Sequence, residues 1–289
     1  GSFFAIWLGA GAYQQFLIST LTDRYGWTNV RASLLLVEVY ATLCASRAGA
    51  AYTLRLFGER RALQAGAFTY ALFMAAIVAT GSYPLLLVAS VIWGWGAATL
   101  WVSSSVRVLD AARHARYGLS SGIFYLGMTG GFTVGVVMQG SIIAAWGIWP
   151  AAVVALCCTV AGVAMLLALL AGSAARAAPQ VARVHRVFLS RGTRSVAPVL
   201  FLSFISFGLV VSAFGDMVKD IHGIGSLHSI TVAFWAAQVP TGLLGGALSD
   251  RVGRGTVIWG GLLLGAAGIL VSMGWQHAAI LTIAAAALG

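Results

Sequence analysis

The sequence predicts an all-α polytopic membrane protein, and three observations carry that prediction. Only 8% of the 289 residues are charged, against about 25% in a soluble domain. Apolar residues make up 60%, and mean hydropathy is +0.93. Apolar runs of bilayer-spanning length recur along the whole chain, separated by short polar gaps. A globule of this size would need far more charge to cover its surface. The apolar content excludes disorder, and the three cysteines (Cys44, Cys157 and Cys158), all inside apolar stretches, exclude a disulfide scaffold. A net charge of +10 would suit nucleic acid only if the basic residues gathered on one soluble face. They lie in the gaps between spans instead, so no nucleic-acid partner is expected; membrane lipid is.

Glycine, proline and charge punctuate the runs into spans at 3–20, 33–50, 62–80, 84–105 and 117–142, then at 148–171, 196–215, 228–248, 256–274 and 277 to the end. The first run opens on Gly1-Ser2-Phe3, with neither methionine nor a basic segment. It does not read as a signal peptide; it reads as a cut chain. Lysine and arginine resist translocation and set the orientation. If the first span starts inside, the cytoplasmic segments hold Arg47, Arg55, Arg60, Arg61, Arg107, Arg113 and Arg116. They also hold Arg176, Arg183, Arg186, Arg191, Arg194, Arg251 and Arg254. The opposite side holds Arg24, Arg31 and Lys219 alone. This bias predicts a multi-pass protein of the plasma membrane with its amino terminus in the cytoplasm.

Individual spans carry polar residues that need a reason to be there. The first has Gln14, Gln15 and Ser19, and an amide in hydrocarbon is costly unless paired, so that face should point into the bundle. Glu38 is the clearest acid inside an apolar segment. It reads either as a pathway residue, with a raised pKa if unpaired, or as half of a fixed ion pair with a residue such as Arg31. The fourth span holds Trp93, Trp95 and Trp101, suited to packing or to a cavity wall. In the fifth, Gly127, Gly131 and Gly135 form a stripe that admits close backbone approach. Ser121, Tyr125, Thr129 and Thr133 form a second stripe about 200° away, which either borders a polar cavity or bonds its own helix. Beyond the seventh span lie Asp216, Lys219, Asp220, His222 and His228, read as a solvated loop because the spacing fits no metal-ligand pattern. No nucleophile elbow, phosphate loop or H-E-x-x-H is present. Vicinal Cys157 and Cys158 lack partner cysteines and read as packing. Neither enzymatic activity, a cofactor nor a metal is expected.

The segment 172–195, basic and polar, is the one long connection, and it splits the chain into a six-span bundle at 1–171 and a second bundle at 196–289. An internal repeat supports that division. Gly246-Ala-Leu-Ser-Asp250-Arg251-Val-Gly253-Arg254 lies between spans eight and nine, and residues 51–61 occupy the matching place between spans two and three. Aligning Gly58 with Gly253 gives an offset of 195 residues, a unit of six spans.

At this loop the chain resembles the major facilitator superfamily of secondary transporters, whose signature G-x-L-x-D-R-x-G-R is matched by Gly246, Leu248, Asp250, Arg251, Gly253 and Arg254. The resemblance implies two six-helix bundles, of which about ten helices are present and the last two missing. It also implies that helices one, four, seven and ten line a central cavity, which places Gln15, Ser19, Trp95, Thr99, Ser203 and Ser206 there. Three departures matter. Arg55 stands where the first repeat should have its acid, with acid only at Glu59; Gly131 is followed by Phe132 and not proline; and span four lacks the family's central arginine. The last two make proton-driven drug efflux a poor fit.

Apart from any family, an aspartate at a helix end such as Asp250 can accept bonds from amides at a facing helix amino terminus. Arg251 and Arg254 can reach lipid phosphate or a carbonyl, or can act simply as topology anchors. The expected function is secondary transport of a small organic solute by alternating access, with H+ or Na+ as a candidate coupling ion. Almost no fixed charge lies among the cavity candidates, which favours neutral, zwitterionic or hydrophobic substrates. A transporter-like protein with a regulatory or trafficking role is the other class. A five-plus-five repeat is the competing fold, and it predicts an offset near half the chain length that the sequence does not show.

Overall fold

The computed structural model describes residues 1–112, 117–171, 194, 215–274 and 277–288. All regular structure among them is helical. The chain opens as α1 (Ser2–Ile6), a π-helical turn (Trp7–Gly11), a 3-10 turn (Gln14–Phe16) and α2 (Leu17–Tyr25). The first expected span is therefore one path of helix broken twice in its middle. Gly26, at φ 65, ends α2, and its amide and that of Trp27 bond back to Thr22 and Leu21 in the manner of a glycine C-cap.

Spans two and three form one run, α3 (Asn29–Ala79), divided at Gly58, whose φ of 73 and ψ of 155 are not helical. Thr28 caps its start by accepting from the Arg31 amide. There follow α4 (Tyr83–Ala111), α5 (Tyr117–Trp146) and α6 (Ile148–Ala171), with Gly147 at φ 88 making the turn between the last two. The described remainder is α7 (Gly215–Val252), α8 (Arg254–Gly274) and α9 (Ala278–Leu288).

Two corrections follow. Residues 216–227, read as a loop around Asp216, Lys219, Asp220 and His222, are helical backbone inside α7. The arm before Gly58 runs on helically well past residue 50, so Arg47 is a helix-interior residue and not part of a cytoplasmic loop. Most of the linker 172–195 and of the expected span 196–215 lies outside the described residues, as do Ser203 and Ser206.

Contacts divide the molecule into two units. One holds α1–α4, the part of α5 from Gly130 onward, and α6; the other holds α5 through Thr129 with α7–α9. In hydrocarbon, helices gain little from burying leucine against each other, and close backbone approach does more of the work. The first unit is built that way. A Cβ on Gly66 would stand 2.7 Å from the Gly96 carbonyl oxygen of α4, and one on Gly94 would stand 2.6 Å from that of Val39. Around these contacts Trp93, Tyr70, Phe73, Leu35 and Ile77 are fully buried, with Phe73 stacked on Trp93 at 4.2 Å. In the second unit α9 packs against α7 and α8.

Candidate functional site

Asp250 ends α7 with its side chain exposed. Its two carboxylate oxygens accept from the first turn of α5: the Gly118 amide donates at 2.9 Å and the Leu119 amide at 3.0 Å. These are amides a helix leaves without intrahelical partners, at the end where the helix dipole favours an anion. The bonds from Leu119 and Gly118, with the Arg254 charge beside them, hold the Asp250 carboxyl below the usual aspartate range.

The carboxylate can reach those amides because two pairs of glycines clear the way. Gly118 and Gly122 on α5 meet Gly246 and Gly242 on α7, and a Cβ at Gly122 would lie 2.8 Å from the Gly242 carbonyl oxygen. Sequence reading missed this contact. Its stripe of Gly127, Gly131 and Gly135 holds for the last two, which press on the Phe4 and Leu8 backbone, while nothing comes within 4 Å of a Cβ at Gly127. Gly118 and Gly122 lie about 140° and 180° around α5 from Gly131. The signal that would have found them is the same four-residue spacing, present in both α5 and α7.

The matching loop of the first repeat is built differently. Gly58 and Gly253 both take positive φ, at 73 and 93, so the two repeats turn on the same residue. The charges are exchanged: Arg55 replaces Asp250 and Glu59 replaces Arg254. Arg55 is exposed, whereas Glu59 is buried and pairs with Arg107 of α4 at 3.5 Å. Neither Glu59 nor Arg107 was singled out as a site residue, because they lie far apart in sequence.

The break in the first helix is held by its neighbours. The Thr159 hydroxyl of α6 accepts from the Ala10 amide at 2.8 Å. The Gln139 side-chain amide of α5 donates to the carbonyls of Leu8 at 2.7 Å and Gly9 at 3.0 Å. A π-helical turn leaves backbone groups out of step, and these two side chains supply partners. Gln139 is fully buried, and sequence reading missed it, although an amide inside an apolar span is a signal that could have found it.

The remaining cavity candidates scatter. Gln15 is half-buried in the 3-10 turn and Ser19 is exposed. Its neighbour Gln14 accepts from the Tyr40 hydroxyl at 2.9 Å. Glu38 is half-buried and accepts from Thr42 at 3.4 Å. Its suggested partner Arg31 instead lies over Trp27 and Tyr83, at 4.8 and 4.6 Å. Trp95 is half-buried, edge-on to Phe57. Thr99 is buried and donates to the Trp95 carbonyl; Thr129 is buried and donates to that of Tyr125, itself exposed. Among the described residues no group of three or more His, Cys, Asp or Glu could hold a metal ion.

Among the described residues five helices are long and apolar enough to cross a membrane, which makes this an integral, multi-pass membrane protein. The sequence profile of the Major Facilitator Superfamily matches residues 1–195, and the chain belongs to that superfamily.

Among solved structures, a Major Facilitator Superfamily transporter, FucP, in the outward conformation is similar at a TM-score of 0.75 and 17% identity, covering 99% of this chain and 80% of that one. A variant of the E. coli fucose:proton symporter FucP is similar at 0.70 and 16%, covering 99% and 79%. A peptide transporter, POT, in complex with alafosfalin is similar at 0.52 and 17%, covering 84% and 58%. At these identities the likeness speaks for the fold. No curated protein matches the sequence.

Proposed function

We propose that this chain moves a small organic solute across the membrane by alternating access, with the Asp250 contact as a latch on one access state. The observation that carries this reading is the pair of bonds from the first turn of α5 to the Asp250 carboxylate. In the division at 1–171, 172–195 and 196–289, α5 belongs to the first repeat and α7 to the second. A contact made of charge and helix dipole can part and re-form without unpacking a core, and it biases the state in which it is closed. Gly246, Arg251, Gly253 and Arg254 shape and flank that contact. Gln15, Ser19, Glu38, Trp95, Thr99, Tyr125, Thr129, Ser203 and Ser206 are the cavity candidates of this reading. Similarity to a fucose:proton symporter supports a proton over sodium as the coupling ion.

The test is solute flux by the full-length protein in proteoliposomes. Asp250→Asn should slow flux several-fold while expression and membrane insertion stay intact. Arg55→Gln, at the exchanged position of the first repeat, should be tolerated much better. Equal loss in both variants, or none in either, removes the latch. A folded protein that carries no solute fits the regulatory class instead.

A further inference from the structure

Arg47, which the sequence reading counted among the cytoplasmic cations, lies in the helical interior of the first arm of α3. It precedes the Gly58 turn by about three turns of helix, or roughly 16 Å of axial rise. Arg55, Arg60 and Arg61 cluster at that turn and mark the headgroup level, so Arg47 lies well inside a hydrocarbon layer about 30 Å thick. An arginine at such depth is costly, turns to the bundle interior or to a water-filled cavity, and marks a pathway more often than a scaffold; Arg47 is exposed, as a residue on a cavity wall would be. Its surroundings show which way it faces. Tyr40, two turns earlier on the same side of the arm, bonds Gln14 of the first helix, and the Arg47 guanidinium lies 5.8 Å from the centre of the Trp101 ring on α4. No carboxylate among the described residues pairs with it; Glu38 stands about 180° around the same helix and bonds Thr42.

A second donor without a partner lies in the same cluster. The Trp7 indole nitrogen, in the π-helical turn, is buried with no hydrogen-bond acceptor. Its ring is edge-on to Trp101 at 5.8 Å and packs near Tyr70 and Phe132. A buried N–H left unpaired costs free energy that a bound acceptor would recover.

We propose that Arg47 and Trp7 form a binding subsite for the carboxylate of a small monocarboxylic acid whose apolar body rests on Trp101 and Phe132. The guanidinium matches a planar carboxylate, and the indole N–H supplies one further donor. A doubly charged phosphate would call for more than the one arginine in this cluster, and a zwitterion would call for an acid beside Arg47, where none of the described residues provides one. This deepens the transport reading and replaces the expectation of an uncharged substrate.

Two readouts separate the subsite from transport. In detergent, binding of benzoate, benzamide and inorganic phosphate to the full-length protein is followed by tryptophan fluorescence; in proteoliposomes, uptake of radiolabelled benzoate and benzamide is measured. Benzoate should bind at least about tenfold more tightly than benzamide or phosphate, since charge-assisted bonds are about twice as strong as neutral ones. Arg47→Gln should erase that preference, Arg47→Lys should keep part of it, and Trp7→Phe should weaken benzoate several-fold. Equal binding of benzoate and benzamide to the wild-type protein overturns the subsite even if no variant folds, as does tighter binding of phosphate or an unchanged preference in folded Arg47→Gln. Benzoate binding without flux would sink transport and keep the subsite; flux without charge preference would do the reverse.

Discussion

At the scale of single residues, two carboxylates at matching ends of the repeats behave in opposite ways because their surroundings differ. Glu59 is 8% exposed and its partner Arg107 is 35% exposed. Removing the arginine leaves a buried charge uncompensated, while removing the acid leaves a charge that water can still reach. Arg107→Gln should therefore cost about 3 kcal/mol, toward the low end for a broken buried pair, and Glu59→Gln about 1 kcal/mol as for a partly exposed one. Thermal unfolding of the purified protein checks the order, and a larger loss for Glu59→Gln would contradict it. Asp250 is exposed and held by amides, so its pKa lies below the ordinary aspartate value. A depressed pKa means that the contact is present above the unfolded-state value and is lost only as pH falls through the folded one. Flux should then differ between wild type and Asp250→Asn by a constant ratio at neutral and mildly acidic pH, and the two should converge only in stronger acid. Convergence near neutrality would mean that another group titrates. Asp250 was legible in the sequence because six motif positions fix its helix end. Arg47 was not, because an arginine near an apparent span boundary reads as an anchor until the helix is seen to continue.

Among elements, glycine decides which helices touch. The contact of α5 with α7 depends on Gly118, Gly122, Gly242 and Gly246, whose missing side chains bring backbone against backbone. Gly246→Ala would drive a methyl into the Gly118 backbone, at about 1 to 3 kcal/mol for an overpacked contact. Gly127→Ala, with nothing within 4 Å of the added carbon, should fall within about 0.5 kcal/mol of wild type. Melting temperatures of the two variants in one detergent test this pair; equal effects would mean that the glycines are chosen for helix ends and not for packing. Periodicity located the spans, since hydrophobic length is a local property. It could not show that the first span is broken at Trp7–Gly11 and Gln14–Phe16, because the break is held from outside by Gln139 and Thr159. Nor could it show that the polar stretch 51–61 is helix on both sides of one glycine at Gly58 and not a loop, since charge marks a span boundary whether or not the backbone stays helical.

For the whole molecule, the repeat and the charge bias are independent lines that must agree on sidedness. Gly58 and Gly253 turn alike although the charges around them are exchanged, so the repeat lives in backbone geometry more than in side-chain chemistry. Moving Arg47 from loop to helix interior removes one cytoplasmic charge without reversing the bias. The cations that the charge bias assigns to the opposite side have aromatic partners: Arg24 lies 3.2 Å from the centre of the Trp149 ring, and Arg31 sits over Trp27 and Tyr83. Guanidiniums on aromatic faces suit the belt where rings gather at a membrane surface. The orientation can be tested directly with Ser82→Cys and Gly192→Cys. Ser82 is exposed between α3 and α4, and Gly192 belongs to the basic segment that the charge bias assigns to the cytoplasm. In a background with Cys44, Cys157 and Cys158 changed to alanine, an impermeant thiol reagent on intact cells should label Ser82→Cys and reach Gly192→Cys only after permeabilisation. The opposite pattern would turn the molecule over. It would place the Asp250 contact on the outer face, where a latch closed by α5 and α7 would hold the inward-open state and not the outward-open one.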